Sequence, residues 1–232
     1  MIDFTGRGVF FPHWYHFVCM AAEARDVATD KGRTDPKAVP AREALGAILF
    51  SALATEAFIN ELGEGAARNE RLGVTPDAHS QMFADLATTL NMVENSRGPI
   101  ELKYQLAAKV LASKTFNTAQ APFQPFAALM RLRDELVHPR HRDQTTAAGH
   151  VRPVSKVVRD LQQRGLTATK GRQPGDVPGG TSWLNEIMTP GVAAWAYNAS
   201  RDIIAAVLEI LPDDENLTTN QLFRKRLSQL PE

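Results

Sequence analysis

This sequence predicts an all-α fold, a single helical domain over residues 1–232, and three observations predict it. Apolar residues recur at three- and four-residue steps in segment after segment. Helix caps and breakers separate those segments, at Thr75-Pro76, Ser96-Arg-Gly-Pro99 and Thr189-Pro190. No stretch alternates apolar and polar residues over a convincing strand length, and there is no internal repeat.

The first element runs from His13 to about Thr29, rich in alanine, with Phe17, Met20, Ala21 and Ala24 on one side. The polar stretch Asp30 to Lys37 joins it to the clearest helix, Ala41 to Leu62. There Leu45, Ile48, Leu49, Ala52, Leu53, Ile59 and Leu62 form a broad apolar stripe. Pro40 suits its first turn, and Gly63 reads as its stop. Thr75-Pro76 opens a helix to about Asn91, with Met82, Phe83, Leu86 and Leu90 as core candidates. Ile100 to Ala112 follows the break, offering Leu102, Leu106, Val110 and Leu111. Pro122 to Val137 buries Phe126, Leu129, Met130 and Leu136. Pro139 closes it, because a residue before proline is pushed out of the helical region.

The composition changes after His138. Residues 139–182 are rich in proline, glycine and arginine and read as a basic, loop-rich insertion, with a short helix near Ser155 to Gln163. Thr189-Pro190 then opens a long helix to Leu211, with Trp195, Ile203, Ile204, Val207 and Leu208 among its apolar positions. Leu217 to Leu230 forms a terminal amphipathic helix.

Composition limits the function classes. The chain is 44% hydrophobic with 26 basic and 26 acidic residues, a folded and neutral protein whose overall charge does not mark a nucleic-acid binder. Cys19 stands alone, so there is no intramolecular disulfide and no thiol-rich metal site. Pro12, His13 and His16 interrupt the apolar opening. Ser51, Thr55, Glu56 and Asn60 make the Ala44 to Leu62 segment too polar for a lipid span. The expectation is a cytoplasmic protein with no membrane association. Phosphate-loop, zinc-protease and serine-hydrolase signatures are absent, and neither a metal nor a cofactor is expected. His13 and His16 are spaced to share a helix face, but Phe11, Trp14, Tyr15 and Phe17 favour packing over metal ligation. His79, in a first helical turn, reads as solvated.

The basic cluster around His138 stands out. From Arg131 to Arg172 there are ten Lys or Arg against four Asp or Glu. Arg131, Arg133, Arg140, His141 and Arg142 surround His138, a local surface that attracts phosphate. Arg133 and His138 would point about 140° apart on a continuous helix. Pro139 releases His138 from helical geometry and lets it swing back toward the arginine. The carbonyl end of the helix also favours a protonated imidazole. A histidine that exchanges protons beside a permanent guanidinium charge suits phosphoryl chemistry.

Arg133-Asp134-Glu-Leu-Val-His138 at a helix end resembles the motif of the HEPN superfamily, an Arg followed four to six residues later by His. Ala54-Thr-Glu-Ala-Phe-Ile-Asn-Glu-Leu62 is similar to that family's early helix with its Glu and Asn. Ile100-Glu-Leu-Lys-Tyr-Gln-Leu106 is similar to the segment leading into the motif helix. The resemblance covers roughly residues 41–140. It implies a HEPN-type bundle with extra N- and C-terminal helices and the 139–182 insertion. It also implies a metal-independent endoribonuclease, a toxin or a defence and stress effector, with a cognate antitoxin or partner protein. His138 would move the proton of the attacking ribose 2′-hydroxyl, Arg133 would hold the scissile phosphate, and Asp134 would orient one of them. Two protomers would meet at the site in a homodimer. Arg131, Arg140, His141 and Arg142 would contact RNA, joined by Arg152 and Arg159. Two other readings stand beside this one. One is a non-catalytic HEPN-like module for dimerisation or ligand binding. The other is a plain bundle in which Arg133 pairs structurally with Glu135 or Glu56 and His138 caps its helix.

Overall fold

Alanine and glycine decide how closely the first two helices approach. The computed structural model describes residues 12–34, 42–72, 77–138, 155–167, 183–212 and 218–230, and every regular element within them is an α-helix. The elements are α1 (His13–Thr34), α2 (Glu43–Leu72), α3 (Asp77–Asn95), α4 (Ile100–Ala112), α5 (Phe123–Val137), α6 (Lys156–Gln163), α7 (Trp183–Ile187), α8 (Pro190–Ile210) and α9 (Thr218–Leu227). The all-α fold is the one the sequence predicts.

Helix α2 is the axis of the bundle, packed against α1, α8, α3, α5 and α4. Ala28, Ala44, Ala47 and Ala193 form a small fully buried cluster where α1, α2 and α8 meet, with Ala24 beside it. Small side chains there let backbones come close without loss of packing density. Burial on α1 therefore falls on Trp14, Val18, Ala21, Ala22 and Ala28, while Met20, an expected core residue, is 41% exposed. The expected packing of His13 and His16 is also corrected: both are exposed, and Trp14 takes the core position between them.

A connected run of aromatic rings ties the helices together. Trp14 lies 5.6 Å from both Phe58 of α2 and Phe223 of α9. Phe58 stacks on Tyr104 of α4 at 6.5 Å, and Tyr104 meets Phe126 of α5 at 4.6 Å. Such pairs add about 0.5–1.5 kcal/mol each beyond their buried area.

Gly63 does not stop α2, which continues to Leu72. A Cβ at Gly63 would lie 3.2 Å from Leu90 Cδ1 and 3.3 Å from Leu90 Cβ, so the glycine marks a close approach of α3. Its helical cost of roughly 0.5–1 kcal/mol relative to alanine is offset by that contact. The face of α4 also differs from the expected one. Leu102 is 41% exposed, Leu106, Val110 and Leu111 are only partly buried, and Lys103, Tyr104, Ala107 and Ala108 are buried instead. The face turns by one residue, about 100°, because the Tyr104 ring and hydroxyl have partners inside and the hydroxyl donates to the Thr55 carbonyl at 2.9 Å.

The insertion is not all loop. Ser155 caps α6, which buries Val157, Val158 and Leu161 in the main core. The short helix α7 has no counterpart in the sequence reading, being a single turn too brief to show a period. The stretch Glu43–Arg68 is long and apolar enough to cross a membrane, and 56% of its most apolar window is buried by the other helices.

Long-range caps fix the ends of the long helices. Glu61 Oε1 of α2 accepts from the backbone N–H groups of His13 (2.8 Å) and Trp14 (3.3 Å) at the start of α1. Those donors have no intrahelical partner, and the carboxylate meets the positive end of the helix dipole. Arg224 of α9 donates to the carbonyls of Leu208 (3.1 Å) and Leu211 (2.8 Å) at the end of α8.

Candidate functional site

The short connection between α3 and α4 brings the first polar group of the site into place. Arg97 N–H donates to the Glu94 carbonyl (2.9 Å) and Gly98 N–H to the Val93 carbonyl (2.9 Å), closing α3 in a left-handed cap. Arg97 itself takes the positive φ of 54°. Gly98 is required there, because a Cβ would fall 2.7 Å from Val93 Cγ1. This tight reversal sets Glu94, near the end of α3, against Lys103 in the first turn of α4.

Lys103 is a buried cation, its side chain only 6% exposed. Its ammonium is held by the Glu94 carboxylate, itself 63% exposed, and donates to Asn60 Oδ1 at 2.6 Å. Asn60 and Glu56 lie four residues apart on α2 and so share a face. Glu56, Asn60, Glu94 and Lys103 line a shallow depression of about 210 Å³.

Arg133 closes the cluster from α5. Its Nη2 lies 3.0 Å from Glu56 Oε1 and 3.3 Å from Oε2, and its Nη1 donates to Asp134 Oδ1 at 2.9 Å. The Arg133 and Glu56 side chains are each about a quarter exposed. Burial pushes the Glu56 carboxyl above its ordinary range, against the pull of Arg133. The neighbouring Tyr104 hydroxyl is pushed well up by burial and then by the Glu56 charge, and it stays protonated at neutral pH. Three carboxylates (Glu56, Glu94, Asp134) thus surround two cations (Lys103, Arg133), and both cations are engaged.

His138 leaves helical geometry as its proline neighbour demands, with φ −120° and ψ 65°, while its backbone N–H donates to the Asp134 carbonyl at 2.9 Å. Its side chain is exposed. Among the described residues no hydrogen bond joins the imidazole to Arg133, so the expected swing toward the guanidinium is not made within one chain. Val137 beside it is 49% exposed.

The other candidate residues separate from this cluster. Arg131 is two residues from Arg133, about 200° around α5, and lines a groove toward α6 instead. Arg159 is exposed on α6. Arg140, His141, Arg142 and Arg152 lie outside the described residues. Of the sequence candidates, the structure unites Arg133 and Asp134 with Glu56. The sequence reading missed Glu94 and the buried state of Lys103. The four-residue break between two strongly helical segments was the available signal, since a short connection forces antiparallel neighbours whose ends meet.

His13 Nδ1 lies 3.2 Å from Glu61 Oε1, away from this cluster. Among the described residues no group of three or more His, Cys, Asp or Glu is placed to hold a metal ion. Comparison with known protein families, with curated proteins and with solved structures finds no match.

Proposed function

We propose that the chain is a metal-independent endoribonuclease of the HEPN type, a cytoplasmic toxin or defence and stress effector that acts as a homodimer. The observation that carries this reading is the end of α5. There a partly exposed guanidinium, Arg133, and an exposed imidazole, His138, lie five residues apart on either side of a helix terminus. The two other segments resembling the family support it, since Glu56 and Lys103 reach the same cluster. Exposed Val137 supplies apolar surface beside His138 for a second copy to cover.

In this mechanism His138 takes the proton of a ribose 2′-hydroxyl, and the 2′-oxygen attacks the adjacent phosphorus. The 5′-oxygen leaves with a proton from the imidazolium of the second copy, and a 2′,3′-cyclic phosphate remains. Arg133 stabilises the charge that builds on the phosphate oxygens. Asp134 holds one guanidinium nitrogen, and Glu56 holds the other until the phosphate competes for it.

One observation favours a second reading, a non-catalytic module for dimerisation or partner binding. Both terminal nitrogens of Arg133 are engaged by carboxylates, and acids outnumber bases around it. Cleavage of single-stranded RNA in the presence of a chelator separates the two. The nuclease reading expects cleavage by the wild-type protein that is lost in Arg133→Ala and His138→Ala. Intact RNA with all three folded proteins leaves the second reading standing.

A further inference from the structure

We infer that the groove between α5 and α6 is a second, separate anion site that takes a phosphate group, carried by a nucleotide or by a nucleic-acid backbone. The groove has a volume of about 260 Å³, and it is lined by Arg131 of α5, Lys156 of α6 and Arg164 at the C-terminal cap of α6. Asp160 is the one carboxylate in its lining, so the walls carry an excess of two positive charges. Unlike Arg133 and Lys103, none of these three cations forms an ion pair among the described residues. Arg164 has only a neutral side-chain partner, Gln124 Oε1 at 3.3 Å.

Three cations around one groove with a single carboxylate among them repel one another, and a bound anion removes that cost. Two of the three are guanidiniums, whose planar donor forks match phosphate oxygens. A second observation comes from the wall itself. Trp195 lines the groove and gives it an aromatic surface. An aromatic ring beside a phosphate site offers a face for the base of a nucleotide to stack on. The volume holds a phosphate with part of its nucleoside, below the usual span for drug-sized ligands of about 300–1,000 Å³. This site does not depend on the ribonuclease reading, because Arg131 and Arg133 lie on opposite sides of α5.

The test is binding, followed by calorimetry and by tryptophan fluorescence at about 0.15 M salt, with three probes: inorganic phosphate, adenosine 5′-monophosphate and a short oligouridine without terminal phosphate. At least one saturates. Arg131→Ala/Lys156→Ala weakens it about tenfold or more, equivalent to about 1.4 kcal/mol, and Lys225→Ala, which removes an exposed cation of α9 outside the lining, leaves it unchanged. Saturation by the mononucleotide alone assigns the site to a free nucleotide. Saturation by oligouridine, with the salt slope falling by about one for each cation removed, assigns it to a backbone. Both altered side chains are exposed, and an unchanged melting temperature verifies that the double variant is folded. The charge reversal Lys156→Glu gives an independent loss. Absence of saturation by all three probes overturns the site, as does binding that survives the double variant and the reversal.

Discussion

Two arginines two residues apart on α5 are in opposite electrostatic states. Arg133 faces α2 and is closed in by Glu56 and Asp134. Arg131 faces α6 and shares an open groove with Lys156 and Arg164, none of them in an ion pair among the described residues. The difference teaches that basic residues clustered in sequence do not make one basic surface. Helical phase divides them, and the partner helix decides which is neutralised. On the closed side the charges are structural until something displaces them. On the open side they are unspent.

Substitution can break this contrast. The largest expected effect is on catalysis: with chelator present, Arg133→Ala and His138→Ala lower kcat for RNA cleavage by about 10²–10⁴. Arg131→Ala leaves kcat alone and raises KM if the groove guides RNA. A kcat loss in Arg131→Ala equal to that in Arg133→Ala would erase the distinction between the two sides.

A smaller effect tests how closed the closed side is. Glu94→Ala leaves the buried Lys103 ammonium with Asn60 as its remaining side-chain partner and lowers stability by roughly 1–3 kcal/mol. Lys103→Met costs less, because the carboxylate it strands is 63% exposed and water solvates it. Chemical denaturation of the two variants measures that asymmetry, and equal losses would contradict it.

Titration sharpens the comparison further. The folded chain holds the Glu56 proton more tightly than the unfolded chain, because burial raises its pKa above the ordinary 4.5. The contribution of this group to stability therefore falls as pH rises from that value through the raised one. Glu61 and Glu186 are raised for the same first reason and carry the same sign. The expected result is a flatter profile of melting temperature against pH, between about pH 4 and 7, in Glu56→Gln than in the wild type. The smallest effect belongs to Glu186, which accepts from Gln162 of α6 at 2.8 Å. Glu186→Gln keeps an acceptor there and changes stability by no more than about 0.5 kcal/mol at neutral pH.

Much of the fold is legible in the sequence where caps and breakers are local. Thr189-Pro190 opens α8 with the threonine accepting from Val192 N–H, and Ile100 to Ala112 has the bounds read from the sequence. The reading fails where a distant residue decides. Gly63 is a stop in isolation and a contact for Leu90 in the bundle. Nothing local to Lys103 signals its burial, which depends on Glu94 and Asn60. At the candidate site, Arg133, Asp134 and a non-helical His138 could be read from one short segment. Glu56 was open as one of two structural partners for Arg133, and the structure selects it over Glu135. The sequence reading grouped Arg131 with Arg133 around His138; helical phase divides them, and which side is neutralised depends on what α2 and α6 present.

The joining of Trp14 to Phe223 bears on how the chain is made. Both rings are fully buried, one in the first described helix and one in the last. During synthesis Trp14 and Phe58 emerge long before Phe223, so part of their apolar surface has no native cover until α9 has emerged. A nascent chain in that state exposes sticky aromatic surface while the intervening helices are made. The order of the helices thus postpones the closing of this aromatic cluster until α9 arrives.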